Sequence, residues 1–468
     1  MNTLSLALRN LLRNRRRSLM TLFAMVLGLM AVLLFGGYAR DIAYAMQSDF
    51  ISRTGHLQIQ RKGYFLYGSG NPAAYGIQEY EAIVAAVKSD PVLAPMVGIV
   101  TPTLQFGGIA GNFAAGVSRT ILVNGFVVQD QNRMRGWNEY GQRILRRDLT
   151  LSGTAPDSAV IGTGVARVLQ LCEALGVSQC APVSDPEPPR PTNAADLSED
   201  IADLAKSRKA EGVVDQSATR SRIEILAANS RGTPNVAAVN VVGAEFQGIK
   251  DLDDVYVALH LTQAQKLIFG GESPRVTAIA VQLKHTWQLP QARARLEQVL
   301  APSPQGSTLE LVDYETLNPF YGQTLAMFAA IFGFISVLIG AVVLFTISNT
   351  MSMTVVERTV EIGTVRALGL RRRGVQAMFL TEAVVLGFAG SVLGIACSFA
   401  AAWIINQMGL TWTPPGRNEP VALAVRVAGE HVMMLASAVG LITVASLSAI
   451  LPAARASRMN IVDALRHV

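Results

Sequence analysis

The pattern of apolar and polar positions changes character along the chain. Four long runs carry almost no charge: Ser18–Ala39, about Thr324–Asn349, about Val375–Gln407 and Val432–Ala454. A run of about 18 or more apolar residues is long enough to cross a bilayer as a helix. Uncharged sequence around the second run extends over Asn318–Val356, and after Gly374 the third continues to Gly416 with only Glu382 charged. Between the first two runs, 40–323 has the mixed composition of a folded, water-soluble domain. The pattern predicts an α-helical membrane domain of four transmembrane helices, one plus three, with a large α+β extracytoplasmic domain inserted between helices 1 and 2. The expected boundaries are an amphipathic N-terminal segment 1–17, spans 18–39, 324–350, 375–407 and 432–454, a charged helix in 351–374, an external loop 408–431 and a tail 455–468.

Inside the inserted domain the period changes from helical to alternating. In Gly55–Phe65, Leu57, Ile59 and Arg61 point one way and His56, Gln58 and Gln60 the other, as in a strand. A helix follows over Glu79–Ser89, with Ile83, Val84 and Val87 on one side and Pro91 ending it. Ile99–Phe106 and Thr120–Val128 read as strands, then Arg275–Leu283 as a strand, Pro290–Leu300 as a helix and Thr308–Val312 as a strand. The two ends of the domain are thus both βαβ-like. They are expected to pack as one split α/β subdomain, about 50–130 and 272–318. A strand-rich lobe, about 131–271, would be inserted, with a strand over Val236–Phe246 and a helix over Leu261–Phe269. Pro182–Gly212 begins Pro-rich and becomes charged. Its composition reads as a surface loop with a weak helix rather than as a partner-binding arm.

Composition agrees with a membrane protein: mean hydropathy is +0.33 and only 16% of residues are charged. The net charge of +6 sits mainly beside the spans. Arg9, Arg13 and Arg15–Arg17 precede the first. Arg358, Arg366 and Arg371–Arg373 lie between the second and third, and Arg455, Arg458 and Arg466 follow the fourth. The loop between the last two spans has only Arg417 and Arg426, with Glu419 and Glu430. Positive residues mark cytoplasmic segments. Both termini and the 351–374 loop are therefore expected inside, and the large domain and the loop around Pro414–Pro420 outside. No basic patch with aromatic platforms points to nucleic acid. The first span reads as a retained anchor rather than a cleaved signal, because its apolar core is long and no small-residue cleavage site stands out. Cys172 and Cys180 fall in the external domain, where an oxidising compartment favours a disulfide over two free thiols. Cys397 lies in a span and reads as a small packing or lipid-facing residue.

The chain contains no GxxxxGK[ST] phosphate loop and no HExxH zinc motif. Its five histidines, 56, 260, 285, 431 and 467, are scattered, and no metal site is expected. The glycines and serine of Gly387–Gly394 include Gly387, Gly390, Ser391 and Gly394. They read as a close helix-packing face; a serine protease would need a histidine at equal depth in another span. Glu382, the one carboxylate within a span, stands near the cytoplasmic face. It reads as an interfacial anchor or a partner for an arginine rather than a proton relay.

Glu357–Arg373, ERTVEIGTVRALGLRRR, is a charged, helix-competent segment between two spans. As a helix it would put Val356, Val360, Gly363 and Ala367 on one stripe and Ile362 and Val365 on another. Glu357 and Glu361 come early and Arg371–Arg373 late, which suits the helix dipole. Arg358 could pair with Glu361, and Gly369 offers a stop. Positive-inside accounts for the arginines but not for the ordered mix of small, apolar and acidic residues.

ERTVEIGTVRALG resembles the cytoplasmic helix of the FtsX/MacB/LolC-E-type ABC transporter permeases, the type VII or mechanotransmission superfamily. Pro452–Arg466, PAARASRMNIVDALR, resembles that family's closing motif, with Asn460-Ile461 where it often has Asp-Pro. Leu6–Gly28 and Phe379–Gly394 resemble its first and third spans. The resemblance covers the membrane part well and the external domain, as a porter-like subdomain with an insertion, only in plan. It implies a permease subunit in the bacterial inner membrane with no catalytic residues of its own. Glu357, Arg358, Glu361, Ile362, Val365, Arg366, Ala367, Leu368 and Gly369 would dock on an ABC ATPase dimer that binds ATP and Mg. A second permease copy or homologue, a periplasmic carrier or adaptor, and membrane lipid are further implied partners. The implied work is extraction or export of a lipid, lipoprotein, peptide or drug-like substrate at the outer face. The alternative is a signalling subunit that activates an external partner such as a cell-wall hydrolase.

Overall fold

The computed structural model describes residues 9, 13, 15–142, 148–178, 221–303, 305–413 and 420–460. Most of segment 1–17, Cys180, Pro182–Gly212, most of the loop around Pro414–Pro420 and the tail after Asn460 lie outside the described residues. In order, the chain forms α1 (Arg15–Thr54), β1 (Leu57–Arg61), α2 (Tyr80–Ser89), β2 (Val97–Asn112), β3 (Val117–Phe126), β4 (Ser158–Gly162), β5 (Arg222–Ala228), β6 (Pro234–Glu245) and β7 (Tyr256–His260). There follow α3 (Leu261–Phe269), β8 (Ala278–Leu283), α4 (Leu289–Leu300), β9 (Leu309–Asp313), α5 (Pro319–Glu357), α6 (Thr359–Ala367), α7 (Arg372–Gln407) and α8 (His431–Arg458), with shorter elements between.

Two units emerge, one helical (Met1–Tyr44, Phe320–Trp412 and Val421–Val468) and one α+β (Ala45–Pro319 and Thr413–Pro420). Among the described residues, four helices, α1, α5, α7 and α8, are long and apolar enough to cross a membrane. Helix suits such runs because hydrocarbon offers backbone N–H and C=O groups no partner but each other. α1 and α5 outrun the spans expected from hydropathy. After Ala39 the sequence turns polar but contains no proline or glycine until Gly55, so α1 continues to Thr54. Gly55 then adopts φ +79°, a left-handed conformation that stops it.

The helical unit is held by a cluster that includes Met25, Leu29, Val343, Phe379, Leu441 and Ala445. The small residues of α7 set the spacing. A Cβ on Gly387 would stand 3.2 Å from the Ala445 Cβ, one on Gly390 3.1 Å from the Met25 Cβ, and one on Gly394 2.9 Å from Leu29 Cδ2. α7 therefore approaches both α1 and α8 closely, where dispersion rather than water release holds helices together. Ser391 is buried and donates its hydroxyl to the Gly387 carbonyl at 2.8 Å.

In the α+β unit, β2, β8, β1 and β9 lie side by side and each neighbouring pair is antiparallel. Leu57 faces Val281 and Ile59 faces Leu311 across those ladders. α2 buries Tyr80, Ile83 and Val87, α4 buries Ala292, Leu296 and Leu300, and both faces join one apolar cluster with the strands. The second lobe is not confined to the expected 131–271. Strands β3, β7, β4, β6, β5 and β2 are paired in sequence, and β2 pairs back to β3, so six strands close a ring. β2 belongs to both parts, because it runs on past Phe106 to Asn112. The alternation ends there in the sequence since Gly107, Gly108 and Gly111 carry no side chain. Gly108 is needed as such: a Cβ on it would lie 2.8 Å from the Leu226 carbonyl oxygen of the neighbouring strand.

Candidate functional site

The charged segment folds differently from one continuous helix. α5 ends at Glu357, and Arg358, with φ −100° and ψ 15°, leaves the helical region before α6 begins at Thr359. Gly369 adopts φ +100°. Its N–H bonds the Arg366 carbonyl at 3.1 Å, and the Leu370 N–H reaches back to the Val365 carbonyl at 3.2 Å. That double bond pattern around a left-handed glycine closes a helix C-terminus and satisfies carbonyls that would otherwise be orphaned. Arg371–Arg373 then open α7 instead of closing α6. The expected dipole complement shrinks to Glu361 in the first turn of α6 and Arg366 in the last.

The side chains sort into an anchored face and an open one. Arg358, Thr359, Ile362 and Gly363 are buried, whereas Val360, Glu361, Thr364, Val365, Ala367 and Leu368 are exposed. Leu368 is 84% exposed, the most of any large apolar side chain in this segment. The expected stripe through Val356, Val360, Gly363 and Ala367 is therefore split, with Gly363 facing inward. Arg358 does not pair with Glu361. Its Nη1 lies 3.3 Å from Glu382 Oε1 on α7, and both side chains are at most 5% exposed. Glu382 is thus an arginine partner at the base of α7. Glu361 pairs with Arg13 and Glu357 with Arg17, all four side chains being more than a third exposed. Arg366 donates to the Met459 carbonyl, and Gln376 Nε2 donates to Ser457 Oγ at 3.1 Å. α6 is thereby tied to α1, α7 and the end of α8.

Three further features escaped the sequence. At the opposite end of α1, Tyr44 donates to Glu430 at 2.8 Å, and Arg426 lies 3.6 Å from Asp41 and stacks over the Tyr44 ring. Arg426 and Glu430 had counted only toward topology. In the α+β unit, His56 is fully buried. Burial pushes its imidazole down to about 3, and Nδ1 accepts from the Leu283 N–H at 3.0 Å. It is a neutral structural acceptor. The same unit has a cleft of about 730 Å³ bordered by Tyr80, Glu81, Lys88, Phe126, Leu151 and His260, a size that suits small ligands. Its lining comes from separate elements, so no sequence motif marks it. Cys172 is disulfide-bonded and Cys397 is a free, exposed thiol.

The helical unit is an apolar bundle with a charged, partly open joint between two of its long helices. Residues 330–461 match the FtsX-like permease C-terminal family, and residues 18–178 match the MacB-like periplasmic core domain. The macrolide export ATP-binding/permease protein MacB of Bdellovibrio bacteriovorus is 26% identical over 229 residues, 47% of this chain and 32% of that protein. The uncharacterized ABC transporter permease YvrN of Bacillus subtilis is 30% identical over 210 residues, 43% of this chain and 46% of its own length. The lipoprotein-releasing system transmembrane protein LolC of Neisseria meningitidis is 25% identical over 175 residues, 37% of this chain and 41% of its own. The chain therefore spans less than half the length of these relatives. Its C-terminal part is thus similar to the FtsX-like permeases and its N-terminal part to the MacB-like periplasmic core, and its relatives are ABC transporter permeases of the MacB and LolC type.

Proposed function

We propose that this chain couples ATP hydrolysis by a partner ATPase to movement of a periplasmic domain. The carrying observation is α6, a short helix held from behind while Val360, Glu361, Thr364, Val365 and Leu368 stay open. An exposed apolar side chain beside a carboxylate, in a segment that positive-inside assigns to the cytoplasm, fits a docking face for a soluble subunit. The chain has no phosphate loop of its own, so ATP and Mg would be held by that subunit, acting as a dimer beneath two permease copies. In this reading both termini and α6 face the cytoplasm of a bacterial inner membrane, and the α+β unit lies outside, between span one and the other three. α1 runs on past its apolar stretch to Thr54, and movement at its inner end would pass along it toward the outer domain. Cys172 and Cys180 form the disulfide of that domain. The cargo is a lipid, lipoprotein, peptide or drug-like molecule handled at the outer face with a carrier or adaptor. Relatives whose names denote macrolide export and lipoprotein release support transport over signalling.

Co-purification of the full chain identifies the ATPase, and reconstitution in lipid nanodiscs measures its stimulation. Leu368→Asp is expected to reduce stimulated hydrolysis to the ATPase's own rate while the permease still inserts. Stimulation equal to wild type would contradict docking on α6.

A further inference from the structure

The joint around Arg358 is tied to its neighbours by bonds of unequal strength. Two consecutive residues point to different helices: Glu357 to Arg17 on α1, and Arg358 to Glu382 on α7. The ties on the other side, Arg17–Glu357 to α1 and Arg13–Glu361 to the residue two before it, are substantially exposed. Such exposed pairs contribute little each and are screened by salt. The tie to α7 is buried on both sides. Removing one partner of such a pair is strongly destabilising, because the other charge is left in a dry site. α6 is held again by Arg366 on the Met459 carbonyl, and α7 is held to the same stretch by Gln376 on Ser457. The glycine face of α7 then packs it closely against both α1 and α8.

A load on α6 therefore meets a stiff connection on one side and a yielding one on the other. We propose that Arg358 and Glu382 are positioning residues that make α6 and α7 one rigid body, so that a push on α6 moves α7 with it. The proposal rests on the docking reading for what does the pushing, but not for the rigidity. The pair serves geometry rather than stability. A buried ion pair can usually be replaced by apolar side chains of similar size without net loss, whereas an apolar pair has no directional bond to fix the angle of α6 at the break after Glu357.

The test uses the full chain in nanodiscs, with Cys397→Ser and spin labels at Thr364→Cys on α6 and Ala377→Cys on α7, both exposed positions. The wild-type pair should give one narrow distance. Arg358→Met and Glu382→Met alone should each lower the thermal midpoint, and the double variant should recover it. The double variant should nevertheless show a broadened α6–α7 distance. With the co-purified ATPase it should retain binding but lose stimulated hydrolysis. A narrow wild-type-like distance in the double variant would overturn the proposal, as would recovery of stimulation together with stability. If no ATPase docks on the wild-type chain, the docking reading fails, and the distance measurement still decides the rigidity of the joint.

Discussion

Single residues set the terms on which the chain folds. Asp90 follows α2 and accepts from the Val92 and Leu93 N–H groups, while Arg295 of α4 grips both its oxygens, the closest contact being 2.8 Å. The Arg295 guanidinium, with those backbone donors, holds the Asp90 carboxyl at about 2, below its ordinary 3.8. The folded state therefore binds this proton less readily than the unfolded chain. Its contribution is fully present above about pH 4 and is lost as pH falls through about 2. In Arg295→Met, backbone exchange protection at Val92 and Leu93 should fall at neutral pH, and the difference from wild type should vanish near pH 2. A difference independent of pH would mean that Arg295 acts through packing alone. Residue identity was a partial guide at this scale. Glu382 read as either an interfacial anchor or an arginine partner, because a carboxylate in an apolar run needs water or a counter-charge. That the arginine is Arg358 was not legible, since the pairing depends on the break after Glu357.

At the scale of elements, the apolar runs located the long helices and the alternation located most strands of the α+β unit. The ends of elements were less legible, for identifiable reasons. Hydropathy marks where lipid could surround a helix, not where hydrogen bonding stops, so α1 and α5 run past it. β2 was cut short because glycines interrupt its alternation, although Gly108 is what lets β5 approach. The charged segment read as one helix because no proline divides it; Gly369, named as a stop, and Arg358 in fact leave α6 as nine residues. The packing face of α7 gives an element-scale prediction. Gly394→Val places branched carbon where even a Cβ lies 2.9 Å from Leu29 Cδ2. Overpacking of this kind costs about 1–3 kcal/mol, and the thermal midpoint of the solubilised chain should fall. Gly440→Val on α8, whose Cβ meets nothing within 4 Å, should change it far less.

The whole molecule divides into a helical unit and an α+β unit, and each was recognisable from composition before its strands were known. The closure of six strands into a ring was not legible, because it depends on pairings between residues far apart in sequence, such as Ile109 with Leu226. The proposed topology is testable with membrane-impermeant thiol reagents on intact cells in a Cys397→Ser background. Asn138→Cys, exposed in the α+β unit, should label from outside, and Thr364→Cys only after permeabilisation. Equal labelling of both would contradict the orientation.

On the proposed reading, α6 is where a partner ATPase meets this chain. That claim is tested most directly by placing a photoreactive phenylalanine analogue at Leu368 and, as a control, at Phe113, an exposed position between β2 and β3. After irradiation of membranes, position 368 should capture a nucleotide-binding ATPase and position 113 should not. Capture of lipid alone at 368, with the ATPase bound elsewhere on the chain, would contradict the account.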